Sequence, residues 1–189
     1  MISGIVLAAG TGSRFDATKQ LEVVDGRPLA QHAIDTAAAA GLDEIMVVTG
    51  HDAEAVEATL HLPAGGRFVR NPRYRDGQAS SLAAALHDVA EESEAAVVLM
   101  ADQPGVTPEV VAALVTRFLT TRRQIVRAVY RDGSGPSLLS REIYAEAGHL
   151  HGDAGARVLM ASHPEWLEEV AIDTDVPADI DTREDLPRG

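Results

Sequence analysis

The feature that most narrows the fold is a rhythm of short apolar runs, each about one strand long, separated by stretches with helical spacing. Runs at 2–8, 44–49, 95–100 and 124–130 carry almost no polar alternation, and strands of that kind are buried on both faces of a mostly parallel sheet. Between them the spacing predicts helices at 28–40, 53–60, 80–92 and 108–120. Pro28 opens the first and Gly41 closes it, the usual asymmetry of helix ends. A short strand is expected at 67–70, a polar loop at 71–79, a turn at 133–136 ahead of a strand at 137–140, and a strand at 167–172. Three shorter helices are expected near 141–147, 153–162 and 182–186. The fold class is therefore α/β: a doubly wound, mostly parallel sheet in three α/β/α layers.

With 189 residues and no linker or repeat, the chain is expected to form one domain over 1–189, and Pro63-Ala64-Gly65-Gly66 reads as a surface turn. The formal net charge of −13 argues against nucleic acid or anionic lipid as a partner, since those need clustered cations. No apolar run approaches the ~18–20 residues of a membrane span, and the start lacks the pattern of a secretory leader. The absence of cysteine fits a reducing cytoplasm.

Within that acidic background one cation stands apart. Fifteen of the sixteen basic residues are arginine, and the single lysine is Lys19, just past Gly10 and Gly12 at the end of the first strand. Glycines there let backbone N–H groups crowd around an anion, and an ammonium supplies a compact point charge. With Arg14 the loop reads as a phosphate cradle. It is neither of two common phosphate loops. Position 15 is Phe where the dinucleotide fingerprint needs Gly, and Lys19 sits between Thr18 and Gln20 rather than in Gly-Lys-Ser/Thr.

The segment from Leu7 to Lys19 resembles instead the Leu-Ala-Ala-Gly-x-Gly-x-Arg-(x)n-Lys signature of the MobA-like nucleotidyltransferases, which include the molybdenum-cofactor cytidylyltransferases and their guanylyltransferase relatives. The likeness extends to Leu186. It implies a Rossmann-like fold of the nucleotide-diphospho-sugar transferase type, with Leu7, Ala8, Ala9, Gly10, Gly12 and Ser13 at the nucleotide and Lys19 and Arg14 neutralising its phosphates.

Further motifs follow the same pattern. Met100-Ala101-Asp102-Gln103-Pro104 ends the fourth strand and resembles the family's Asp-Gln-Pro, in which the aspartate holds Mg²⁺. A carboxylate suits that ion, which takes one or two plus phosphate oxygens. Asn71, Gly77, Ser80 and Ser81 resemble the segment lining the nucleotide pocket, although Ser80 equally fits the role of a helix cap. The late acidic run resembles the family's closing motif, with Arg183 in place of proline, and Asp179 is chosen over Asp181 as a second metal ligand. Gly152, Asp153 and Arg157 belong to a Gly-Asp-x-Gly-Ala-Arg segment that resembles the cytidylyltransferase branch and implies acceptor binding. That branch carries Gly-His-Pro upstream, where this chain has Gly135-Pro136-Ser137.

The resemblance implies Mg²⁺-dependent attack of an acceptor phosphate on the α-phosphorus of a nucleoside triphosphate, CTP by the Leu-Ala-Ala-Gly form, with a pterin-type acceptor. Transfer to a sugar phosphate or other phosphorylated alcohol is the same-fold alternative. A non-catalytic nucleotide-binding sensor or cofactor chaperone is the alternative of another class.

Overall fold

The computed structural model describes residues 1–12, 15, 18–153 and 155–186. Its first strand, β1 (Ile2–Leu7), is buried at all six positions, so it needs cover on both faces. The chain supplies that cover by alternation. After a small ribbon of β2 (Val23–Val24) and β3 (Arg27–Pro28) come α1 (Leu29–Ala39), β4 (Glu44–Thr49), α2 (Ala53–Thr59) and β5 (Arg67–Arg70). Then follow α3 (Gln78–Asp88), β6 (Ala95–Met100), α4 (Pro108–Thr121), β7 (Ile125–Val129), β8 (Ser134–Ser140), α5 (Tyr144–Gly148), α6 (Arg157–Ser162) and β9 (Leu167–Ala171).

The seven-stranded sheet has the order β5-β4-β1-β6-β8-β7-β9, and β8 alone runs antiparallel. Successive side chains of a strand face opposite ways, and β1 divides accordingly. Val6 packs under α1 and α4 with Ala33, Ile34, Val111, Leu114 and Phe118. Ile5 and Leu7 pack under α3, α5 and α6 with Leu82, Leu86, Ala147 and Leu159. A fully buried side chain such as Leu114 contributes about 1.5–3 kcal/mol over an exposed one.

Winding sets the place of the site. The chain runs outward from β1 to β4 to β5, then returns through α3 to β6 on the other side of β1. Loops leaving β1 and β6 must diverge there, and a crevice opens at the carboxyl ends of the two strands. The last paired residues are Leu7 and Met100.

Several boundaries differ from expectation for local reasons. The segment 133–136 is not a turn before the strand, because β8 already begins at Ser134. Pro136 is tolerated because the pairing with β6 stops at Ser137 and a bulge interrupts the β7 ladder opposite. Helix α3 starts earlier than expected, after Gly77, whose φ of 97° is left-handed. It stops at Asp88, and Arg141 then takes the carbonyls of Ala90 and Ser93. Helix α6 starts only at Arg157, since Gly152 and Gly155 have φ of 72° and 51°. The final helix is a single 3₁₀ turn, Arg183–Asp185, closed by reciprocal bonds between Thr182 and Asp185. No helix of the described residues is long and apolar enough to cross a membrane.

Candidate active site

The crevice between the β1 and β6 loops is a cavity of about 890 Å³ whose wall includes Leu7, Ala8, Ala9, Gly10, Thr11 and Gly12. The loop's shape comes from Gln20. Its buried amide donates to the carbonyls of Ala8 (2.9 Å) and Gly10 (2.6 Å), stitching the glycine turn to the one-turn helix Lys19–Leu21. Gly12 has φ of 53°, and a Cβ there would lie 2.8 Å from the Lys19 Cβ. Glycine is thus required both for the backbone and for room beside the lysine.

Lys19 is 12% exposed along its side chain, and its Nζ donates to Asp102 Oδ2 (3.0 Å) and Asp181 Oδ1 (2.9 Å). Burial alone would lower the ammonium's pKa, but the two carboxylates outweigh it and leave it raised. The aspartates meet because the Asp102 carbonyl accepts from Ile180 N–H (3.0 Å), and Ile180 is buried against Phe15, Val24 and Leu29. The C-terminal segment is therefore pinned to the end of β6. Asp179, expected to share a metal with Asp102, instead accepts from the Gln103 side chain (2.8 Å), and Asp181 takes the place beside Lys19.

Two hard carboxylates already converging on one cation suit Mg²⁺, which completes its shell with water and phosphate oxygens. Among the described residues no group of three or more His, Cys, Asp or Glu gathers as a metal cluster. Asp102 is not a helix cap, since α4 begins at Pro108 behind Thr107.

The loop 71–81 splits the expected nucleotide residues. Ser81 and Gly77 line the cavity. Asn71, 2% exposed, lies behind the wall, donating to Ser80 Oγ (2.9 Å) and Ser81 Oγ (3.0 Å) while its own oxygen accepts from Arg73 N–H. The Ser80 hydroxyl is 2.8 Å from the carbonyls of both Arg73 and Gly77, so it braces the loop and does not cap α3. Tyr74 and Arg75, which sequence reasoning passed over, do line the cavity, with the guanidinium 5.6 Å from the Tyr74 ring centroid. Their signal was faint, since an aromatic and a cation in a polar loop look like ordinary surface.

Gly152 and Asp153 reach α3: Ala79 N–H donates to the Gly152 carbonyl (3.0 Å) and Gln78 N–H to Asp153 Oδ1 (3.2 Å). Arg157 lines the main cavity and also a second one of about 360 Å³, which is bordered by Gln103, Arg127, Gly135, Ser137 and Met160. Asp102 and Asp181 also border both. Ser13 and Arg14 lie outside the described residues.

Comparison with known proteins gives the family and the fold. The MobA-like NTP transferase domain matches residues 4–167. Nicotine blue oxidoreductase of Paenarthrobacter nicotinovorans is 32% identical over 99% of this chain and 95% of its own length. The bifunctional protein GlmU of Sorangium cellulosum is 31% identical over 84% of this chain, which spans 33% of that protein. Rv0371c of Mycobacterium tuberculosis H37Rv, crystallised in complex with manganese, superimposes with a TM-score of 0.82 at 32% identity, covering 97% of this chain and 94% of that one.

Proposed function

We propose, from the premise that this chain belongs to the MobA-like NTP transferase family and is a nucleotidyltransferase, that it joins CTP to a small phosphorylated acceptor of the molybdopterin type. It does so as one domain over residues 1–189, in the cytoplasm. The observation that carries the reading is the meeting of two cavities at Asp102, Asp181 and Arg157. The larger, about 890 Å³, lies within the range of small-molecule sites. The smaller has Arg127 and Arg157 on its border beside Asp102, Asp179 and Asp181, and a planar fork suits a phosphate.

In this reading the triphosphate lies along the glycine loop with Lys19, and Arg14 from the same loop, against its charge. Asp102 and Asp181 would hold Mg²⁺, which when bound neutralises the triphosphate and its leaving group. Arg157 and Arg127 hold the acceptor phosphate in line. An acceptor oxygen forms the new bond to the α-phosphorus as the bridging bond to the β-phosphate breaks, and pyrophosphate leaves with that electron pair. The oxyanion is already nucleophilic, so the protein's part is alignment and charge stabilisation. Of the two late aspartates, Asp181 is assigned to the metal and Asp179 to holding Gln103. One full-length relative is named an oxidoreductase, but two carboxylates at the junction of two cavities, with a lysine donating to both, are the groups that nucleotidyl transfer uses.

Preference for CTP is assigned to Ala9, whose methyl narrows the wall where a glycine would open it. One methyl discriminates by only ~1–3 kcal/mol, so CTP should exceed GTP by roughly 10–200-fold in kcat/KM, and Ala9→Gly should shrink the ratio. The test is pyrophosphate release from each of the four triphosphates with molybdopterin and with sugar 1-phosphates. Turnover with sugar phosphates alone would transfer the assignment to the same-fold alternative. Tight nucleotide binding without turnover on any acceptor would favour a sensor or chaperone.

A further inference from the structure

Helix α3 has eleven residues, and its N-cap, Gly77, has no side chain with which to cap it. The first amides of such a helix need acceptors from elsewhere. They find them far along the sequence: Asp153 Oδ1, 75 residues on, accepts from Gln78 N–H, and the neighbouring Gly152 carbonyl accepts from Ala79 N–H. The fit is close. A Cβ on Gly77 would stand 2.5 Å from the Gly152 carbonyl carbon and 2.7 Å from Asp153 Oδ1, so only glycine lets the two backbones meet. Gly155 packs beside the Gln78 side chain, whose amide in turn lies 2.8 Å from Met100 Sδ at the end of β6.

We infer that Asp153 is a positioning residue: its carboxylate and the Gly152 carbonyl latch the segment bearing Arg157 onto the start of α3, so that the nucleotide loop and the acceptor side move as one body. One oxygen of the Asp153 carboxylate is thus turned to α3, although Asp153 also borders the larger cavity. A carboxylate is well placed there, since the exposed amides and the helix dipole both favour negative charge. The two walls of the reaction centre are then joined by a contact that neither substrate makes. The role of Arg157 rests on the function proposed above, but the latch itself does not.

Hydrogen–deuterium exchange of the free protein therefore tests it without any substrate. In Asp153→Ala, amides 78–80 and residues 150–157 should exchange roughly tenfold faster, the scale of losing one helix cap. The strands β1, β4 and β6 should exchange as in the wild type. Asp153→Asn keeps the acceptor oxygen without the charge, and should recover about half of that protection on a logarithmic scale. Gly77→Ala should release 150–157 from the opposite side with Asp153 intact. Wild-type exchange at 78–80 in Asp153→Ala would overturn the inference. So would unchanged 150–157 in Gly77→Ala, or an increase spread evenly over the sheet.

Discussion

At Lys19 a single ammonium faces two carboxylates, and this triad sets what each partner can do when changed. Lys19→Ala should slow pyrophosphate release by at least ~10²-fold, the low end for losing one preorganised charge, with folding retained. Lys19→Arg should not restore the rate, because a planar fork does not reproduce the compact point charge that donates to both Asp102 and Asp181. Wild-type turnover in Lys19→Ala would remove the lysine from the chemistry. Asp102→Asn should abolish turnover while sparing nucleotide binding in the absence of divalent metal. The two aspartates leave the Lys19 pKa raised in the folded state. Its contribution to stability is thus complete below the unfolded value of about 10.4 and lost only as pH climbs through the folded one, so Lys19 does not titrate near neutrality. Lys19 was legible in the sequence as the single lysine behind a glycine turn, and Asp102 as a carboxylate just past the apolar strand β6. The choice between Asp179 and Asp181 was not. In extended chain, residues two apart share a face, and Ile180 between them turns inward, so alternation sends both carboxylates toward the same crevice. Only the backbone bond from Ile180 N–H to the Asp102 carbonyl and the reach of Lys19 decide which one meets the ammonium.

Among the elements, the strands were read best and the loops between them least. Continuous apolar runs such as 95–100 admit few other readings, whereas the start of α3 depends on Gly77 and on partners 75 residues away, which no local pattern encodes. The same limit explains Asn71 and Ser80. Their chemistry pointed to a ligand, but their hydrogen bonds turn inward to the loop's own backbone and to each other. This sets up a prediction that separates bracing from binding. Asn71→Ala should cost about 1–3 kcal/mol of stability, because it leaves buried polar partners unsatisfied, and the loss should appear as a lower urea midpoint with unchanged slope. Nucleotide affinity should fall only as far as the loop loosens. A variant as stable as wild type but unable to bind nucleotide would show that Asn71 touches the nucleotide directly.

For the whole molecule, the winding that places the crevice also leaves two sheet edges, β5 and β9, and an exposed edge invites pairing with another chain. Both edges carry charge held in ion pairs. Arg67 and Arg70 of β5 pair with Glu44 and Glu57, and Glu168 and Glu169 of β9 pair with Arg117 and Arg127. Glu57 joins three elements. It takes a forked pair of bonds from Arg70 and another from Thr49 at 2.7 Å, so α2, β4 and the edge strand β5 close on one carboxylate. The bond from Arg70 lowers its pKa, against the opposing effect of burial. A lowered folded value means that the stabilisation is present above the unfolded value of about 4.3 and lost as pH falls through the folded one. Urea unfolding across pH should therefore show wild type more stable than Glu57→Gln by a constant margin near neutrality. The margin should shrink as pH drops below about 4.3, where the unfolded carboxyl takes up a proton, and vanish once the folded one is neutralised as well. If the margin at about pH 3 equals that at about pH 7, the Glu57 charge is not what fastens β5 to the sheet, and the edge is held by the ladder to β4 alone.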